Sequence, residues 1–96
     1  MKLVVFTIYD KAVQAYNTPF YMQTEGEAMR GFKQVCTDPQ TNICKHPEDF
    51  ALFKLGWFDN STGQFELVEP ECVARAHEVK ALEAARSIQE SIGDKE

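Results

Sequence analysis

The hydrophobic period of this chain changes at Thr24, and that change decides most of what the chain can fold into. Before it, Phe20 and Met22 recur at the two-residue spacing of a strand. After it, Ala28, Met29, Phe32, Val35 and Cys36 fall on one face of a helix. Thr24 and Glu27 have capping-box spacing, in which the hydroxyl accepts from a free first-turn amide and the carboxylate reaches back to the Thr24 amide. Loss of the Thr24 oxygen is expected to cost about 1 kcal/mol. A strand that turns directly into an amphipathic helix needs a sheet for the helix to lie on. The rest of the chain must build that sheet.

With 96 residues, the chain makes one domain with a modest core. Leu3 to Tyr9 is apolar on both parities, the pattern of a strand inside a sheet. Asp10 to Asn17 is polar and reads as a wide connection or a short helical turn. Pro19 lacks an amide donor, so the 18–23 strand belongs at an edge or begins at its proline. The first helix is expected from Glu25 to about Cys36, weakened by roughly 1 kcal/mol at each of Gly26 and Gly31. Gly31, beside Phe32, marks a close approach of another backbone. Asp38-Pro39 ends the helix, and residues 38–49 form a polar loop in which Pro47-Glu48-Asp49 opens a single helical turn.

Phe50 to Phe58 reads as a second strong strand, with Ala51, Phe53, Leu55 and Trp57 pointing one way and Leu52, Lys54, Gly56 and Phe58 the other. Asp59 to Gly63 is a turn by composition, and Gln64 to Val68 returns as a hairpin with Phe65 and Leu67 on its apolar face. After Glu69-Pro70-Glu71 a long Ala-rich helix is expected. Ala74, His77, Ala81, Ala84 and Ile88 form a heptad-like seam, joined by Ala85 and Ile92, that suits self-association. Val79 and Leu82 lie on another face, so the helix contacts both the sheet and a second subunit. Gly93 to Glu96 is a frayed tail. The predicted fold is α+β: a four-stranded, mainly antiparallel sheet in the order strand, strand, helix, strand, strand, helix. One helix packs on the sheet. Residues 1–70 form the sheet domain, and residues 71–96 a C-terminal helix within it or an oligomerisation arm.

Ten Lys and Arg stand against fifteen Asp and Glu, which argues against a broad basic surface for duplex nucleic acid but leaves room for a local cationic groove. No apolar run is long enough to span a bilayer. Leu3 to Phe6 after Met1-Lys2 breaks at Thr7 and Asp10, so it reads as a strand rather than a signal peptide. The three cysteines, Cys36, Cys44 and Cys72, are irregularly spaced and suit free thiols in a reducing cytoplasm. Cys36, Cys44 and His46 with Cys72 or His77 lack the close-pair spacing of a zinc site, so no metal is expected. His46 reads as a surface residue and His77 as part of the seam. Neither is placed to activate a nucleophile, and no cofactor or catalytic residue is expected.

Aromatic and cationic residues remain. Tyr9, Tyr16, Phe20, Tyr21, Trp57 and Phe58 exceed what one face of a small core needs, and basic residues fall on neighbouring segments. Single-stranded nucleic acid is held by such a combination, with bases stacked on rings and phosphates met by Lys and Arg. The candidate interface is Lys11, Tyr16, Tyr21, Arg30, Lys33, Lys45, Lys54 and Trp57. The alternative is that the rings are core or a dimer interface.

Ordered blocks carry a resemblance: Val5 to Ala12, Ala15 to Thr24, Glu27 to Phe32, His46 to Gly56 and Phe58 to Gly63. Over roughly its first two thirds the chain resembles the small non-structural protein of gokushovirus-type microviruses, icosahedral single-stranded DNA phages. The resemblance implies a protein of the infected bacterium's cytoplasm, absent from the mature virion, that binds DNA during genome synthesis or its hand-over to packaging. The family has no agreed binding residues to carry over. Beyond about Pro70 its members end sooner or diverge, so the Ala-rich helix is a departure. The expectation is a non-enzymatic, homo-oligomeric accessory protein whose partner is single-stranded DNA, with no membrane association. The alternative is an interaction module that regulates the phage replication initiator or capsid assembly without touching DNA.

Overall fold

The computed structural model describes residues 1–93, and the side chains of residues 1–88. In chain order it comprises β1 (Lys2–Asp10), β2 (Ala15–Tyr16), β3 (Phe20–Met22), α1 (Glu25–Thr37), α2 (Asn42–Lys45), a 3-10 turn (Pro47–Asp49), β4 (Phe50–Asp59), β5 (Gln64–Arg75) and α3 (Ala76–Gly93). The fold is α+β, with an antiparallel sheet ordered β2-β1-β4-β5. β3 shares the β2 edge of β1: Tyr9 pairs with Tyr16, and Val5 pairs with Tyr21 further down the same strand. The edge is interrupted at residues 17–19, where Pro19 cannot donate to a ladder. β1 lies inside the sheet, as its double parity predicts.

Helices cover one face. Phe6, Leu52, Ala28, Phe32, Cys36, Ala76 and Val79 form the buried core, with Val4, Ile8, Phe20 and Met22 packed against it. The capping pair at Thr24 is half made: the Glu27 amide donates to Thr24 Oγ1 at 3.2 Å. No return bond from the Glu27 carboxylate forms among the described residues. The Pro47–Asp49 turn forms as expected. α2 was not visible in composition. It is one turn capped by Thr41, whose hydroxyl accepts from the Cys44 amide at 3.1 Å.

Several expectations are corrected. The 10–17 connection is a tight turn: Asp10 Oδ1 accepts from the Ala12 amide at 3.0 Å, Gln14 adopts φ 54°, and Asp10 then pairs with Ala15. Gly31 marks no close approach, because a Cβ there would meet nothing within 4 Å. It lines an apolar hollow of about 270 Å³ with Phe20, Phe32, Val35 and Ile43. Gly31→Ala is therefore expected to raise stability by about 0.5–1 kcal/mol through helix propensity alone. Chemical denaturation followed by circular dichroism reads this, and a destabilised variant would contradict it.

The last helix begins at Ala76, not near Glu71. β5 instead continues along β4, pairing Phe53 with Cys72, Leu52 with Ala74 and Ala51 with Arg75. Pro70 reads as a helix start in sequence but sits where the β4–β5 register shifts, between Gly56–Leu67 and Lys54–Glu71. Its missing amide costs no ladder bond there. Ala74 is therefore a strand residue and leaves the seam. The outer edge of β5 carries Glu66, Glu69, Pro70 and Glu71, residues that discourage strand addition. Residues 94–96 of the expected tail, and the Ile92 side chain, lie outside what is described.

The strict alternation expected along β4 also fails. Val5 pairs with Gly56 but Phe6 with Lys54, so Leu55 is an extra residue in β4. A β-bulge of this kind exchanges the faces of everything beyond it. Gly56 makes the bulge possible with φ +142°. Leu52 and Lys54 consequently share the helix-side face with Trp57, while Ala51 and Phe53 share the opposite face with Gly56 and Phe58.

Candidate nucleic-acid interface

The face turned away from the helices carries Leu3, Val5, Thr7 and Tyr9 from β1, because their neighbours Val4, Phe6 and Ile8 pack into the core. Directly paired residues on adjacent antiparallel strands share a face. This brings Tyr16, Tyr21, Phe53, Phe58 and Phe65 beside those β1 positions. The rings form two clusters. In the first, the Tyr9 and Tyr16 centroids are 4.7 Å apart, and Phe53 stands edge-on to Tyr16 at 5.5 Å. In the second, Phe58 lies 4.8 Å from Phe65 and 5.8 Å from Tyr21. Tyr16 is 48% exposed, Tyr21 44% and Phe65 53%, so solvent reaches both clusters.

The first cluster adjoins a cavity of about 330 Å³ lined by Tyr9, Phe53, Cys72, Lys11, Arg75 and His77 together with the acidic Glu48 and Asp49. Arg75 reaches this face because it pairs with Ala51, the neighbour of Tyr9 across the β1–β4 ladder. Lys11 is fixed at the rim by its amide, which donates to the Asp49 carbonyl at 2.7 Å. Two permanent cations thus border one ring cluster.

Of the residues predicted for the interface, Lys11, Tyr16 and Tyr21 meet on this face. Lys54 and Trp57 do not: the bulge turns both to the helix side, where Lys54 Nζ sits 4.5 Å from the centroid of a Trp57 ring. Arg30 and Lys33 project from α1 and Lys45 belongs to α2. Lys33 Nζ also lies 3.8 Å from Glu83. Sequence reasoning missed Arg75 and Phe53 as interface residues. Arg75 was hidden by the helix assigned back to Glu71, although Cys72-Val73 there is poor helix-forming sequence.

The rest of the expected seam lies on α3. His77 lines the cavity and faces Glu78 at 3.9 Å. Ala81, Ala84 and Ile88 are exposed along one flank. Cys36 and Cys44 are buried and Cys72 is exposed. Burial pushes the Cys36 thiol up to about 11, so it stays protonated at neutral pH. Among the described residues no three His, Cys, Asp or Glu side chains gather to hold a metal. At the far hairpin the Ser61 amide holds the Asp59 carboxyl below the usual carboxylate range.

Residues 3–79 match the family described as Phage ORF5 protein. Protein ORF5 of Chlamydia phage 1 is 29% identical over 73 residues, covering 72% of this chain and 76% of the relative. No solved structure shows a significant match. The matched span contains both ring clusters, Lys11 and Arg75, and ends in the first turn of α3. Among the described residues no helix is long and apolar enough to cross a membrane.

Proposed function

The chain belongs to the Phage ORF5 protein family, a small microvirus-type phage accessory protein, and from that premise we propose that it binds single-stranded DNA across the helix-free face of its sheet. One observation carries the reading: two solvent-reached ring clusters on that face, with Lys11 and Arg75 at the border of one. Unstacked bases have π-faces that such rings accept, whereas duplex hides them. The overall charge of −5 opposes a polyanion at long range, but that repulsion is screened beyond about 10 Å at 0.1 M salt, and the two cations act at contact.

Fluorescence anisotropy with labelled oligonucleotides tests this. Single strands are expected to bind more tightly than duplex. The log–log salt slope should be about −1.4, from two phosphates at about −0.7 each. Equal affinity for duplex, or no binding at low salt, would contradict it.

A second reading has support in Phe65, Leu67 and Val68, three exposed apolar side chains in one short stretch of β5. There the face would bury against a protein partner in replication or capsid assembly. Under that reading, a partner pulled down from infected cells would survive nuclease treatment. Loss of the partner on nuclease treatment would reject it.

A further inference from the structure

Resting on the single-strand reading above, we infer that the open face grips DNA at two separate stations of unequal chemistry. One combines rings with two cations that make no ion pair among the described residues, and at the other the neighbouring Lys2 is already paired with Glu66. The first is Tyr9, Tyr16 and Phe53 with Lys11 and Arg75; the second is Tyr21, Phe58 and Phe65.

The separation follows from the ladder. Tyr21 pairs with Val5 and Phe58 with Leu3, four and six positions from Tyr9 along β1. At about 3.3 Å per residue the second station stands about 13–20 Å from Tyr9, and Phe53, paired with Thr7, extends the first station toward it by about 7 Å. At about 3.4 Å per nucleotide of stacked strand, the distance from Tyr9 is about four to six nucleotides. Among the described residues no further ring lies between them. Val5 and Thr7 are buried, and the Thr7 hydroxyl is committed to the Asn17 carbonyl at 2.6 Å.

The asymmetry follows from where the cations lie. Lys2 is paired with Glu66 at 3.4 Å and Lys54 lies over Trp57, both on the helix side. Arg30, Lys33, Lys45, Lys80 and Arg86 belong to the helices. Lys2 lines a hollow with Phe65 at the second station, but Glu66 already matches its charge. Lys11 and Arg75, which make no ion pair among the described residues, both stand at the first station, where Glu48 and Asp49 line the same cavity. Phosphate contacts therefore concentrate at one end of the bound segment, and the other end is held by stacking that salt does not weaken.

The test is the affinity of the full chain for oligothymidylates of 2 to 12 nucleotides at several salt concentrations. A step in affinity is expected once the oligomer spans both stations, at about 6 to 8 nucleotides, worth about 5- to 150-fold for the added base contact. Tyr21→Ala should abolish the step while the salt slope persists. Arg75→Gln should keep the step and make the slope shallower by about 0.7. Tyr21→Leu, which retains an apolar side chain, serves if the alanine variant fails to fold. A smooth rise with each added nucleotide would overturn the two-station arrangement while leaving single-strand binding intact. So would a Tyr21 variant that loses salt dependence. Absence of binding at every length would overturn the underlying reading and this inference with it.

Discussion

Gly56→Ala is expected to cost on the order of 3 kcal/mol or more, the largest stability effect of any single methyl added to this chain. At φ +142° an L side chain is strained before any neighbour is considered. A Cβ there would also lie 2.1 Å from the Glu66 carbonyl oxygen and 2.9 Å from the Leu67 Cα. Both are backbone atoms of a paired strand, so relief requires β5 to move away from β4 where the bulge joins them. Gly63→Ala is the control. Its φ is +74°, but a Cβ there meets nothing within 4 Å, so it isolates the conformational cost at about 1–2 kcal/mol. Urea unfolding of the two variants separates strain from clash. Equal losses would show that the close approach at Gly56 carries no cost.

The second large effect concerns binding. Replacing Tyr16 and Tyr21 together with alanine is expected to remove one base contact from each ring cluster. At about 1–3 kcal/mol per stacked base, the loss is about 2–6 kcal/mol, or at least about 30-fold in Kd. The two sites do not touch, so their losses should add. Both side chains are close to half exposed, and their removal leaves the Phe6, Leu52 and Phe32 core unchanged. Retained circular dichroism with weakened anisotropy is the expected pair of results. A change under about threefold in a folded double variant would count against the rings as the contact surface.

How far the fold could be read beforehand depended on whether local pattern or long-range pairing decided each element. The corner at Thr24, the α1 face and the hairpin at Asp59 to Gly63 are local, and periodicity with turn chemistry located them. The bulge at Leu55 is not local. It arises because β1 and β5 grip β4 on opposite edges, and Gly56 was its one visible sign. Missing it put Trp57 and Lys54 among the interface residues. The extension of β5 to Arg75 is likewise a pairing decision. Four residues of β4, Ala51 to Lys54, pair with the extension, and that outweighed the helix-start signal of Pro70. Arg75, half of the cationic border, could be recognised only after that pairing was known. Tyr21 needed no such knowledge, because the edge placement of the 18–23 strand followed from Pro19, whereas Tyr16 lay in a stretch that read as a connection and joins the edge through its pairing with Tyr9.

The bulge also supplies the most direct test of the central claim. All three tyrosines, Tyr9, Tyr16 and Tyr21, belong to the helix-free face, and the single tryptophan, Trp57, belongs to the other. Fluorotyrosine and fluorotryptophan incorporation gives each face its own ¹⁹F signals. On titration with single-stranded DNA, the three fluorotyrosine resonances should shift and the fluorotryptophan resonance should stay in place. A moving tryptophan signal with unmoved tyrosines would contradict the account by putting the strand on the helix side.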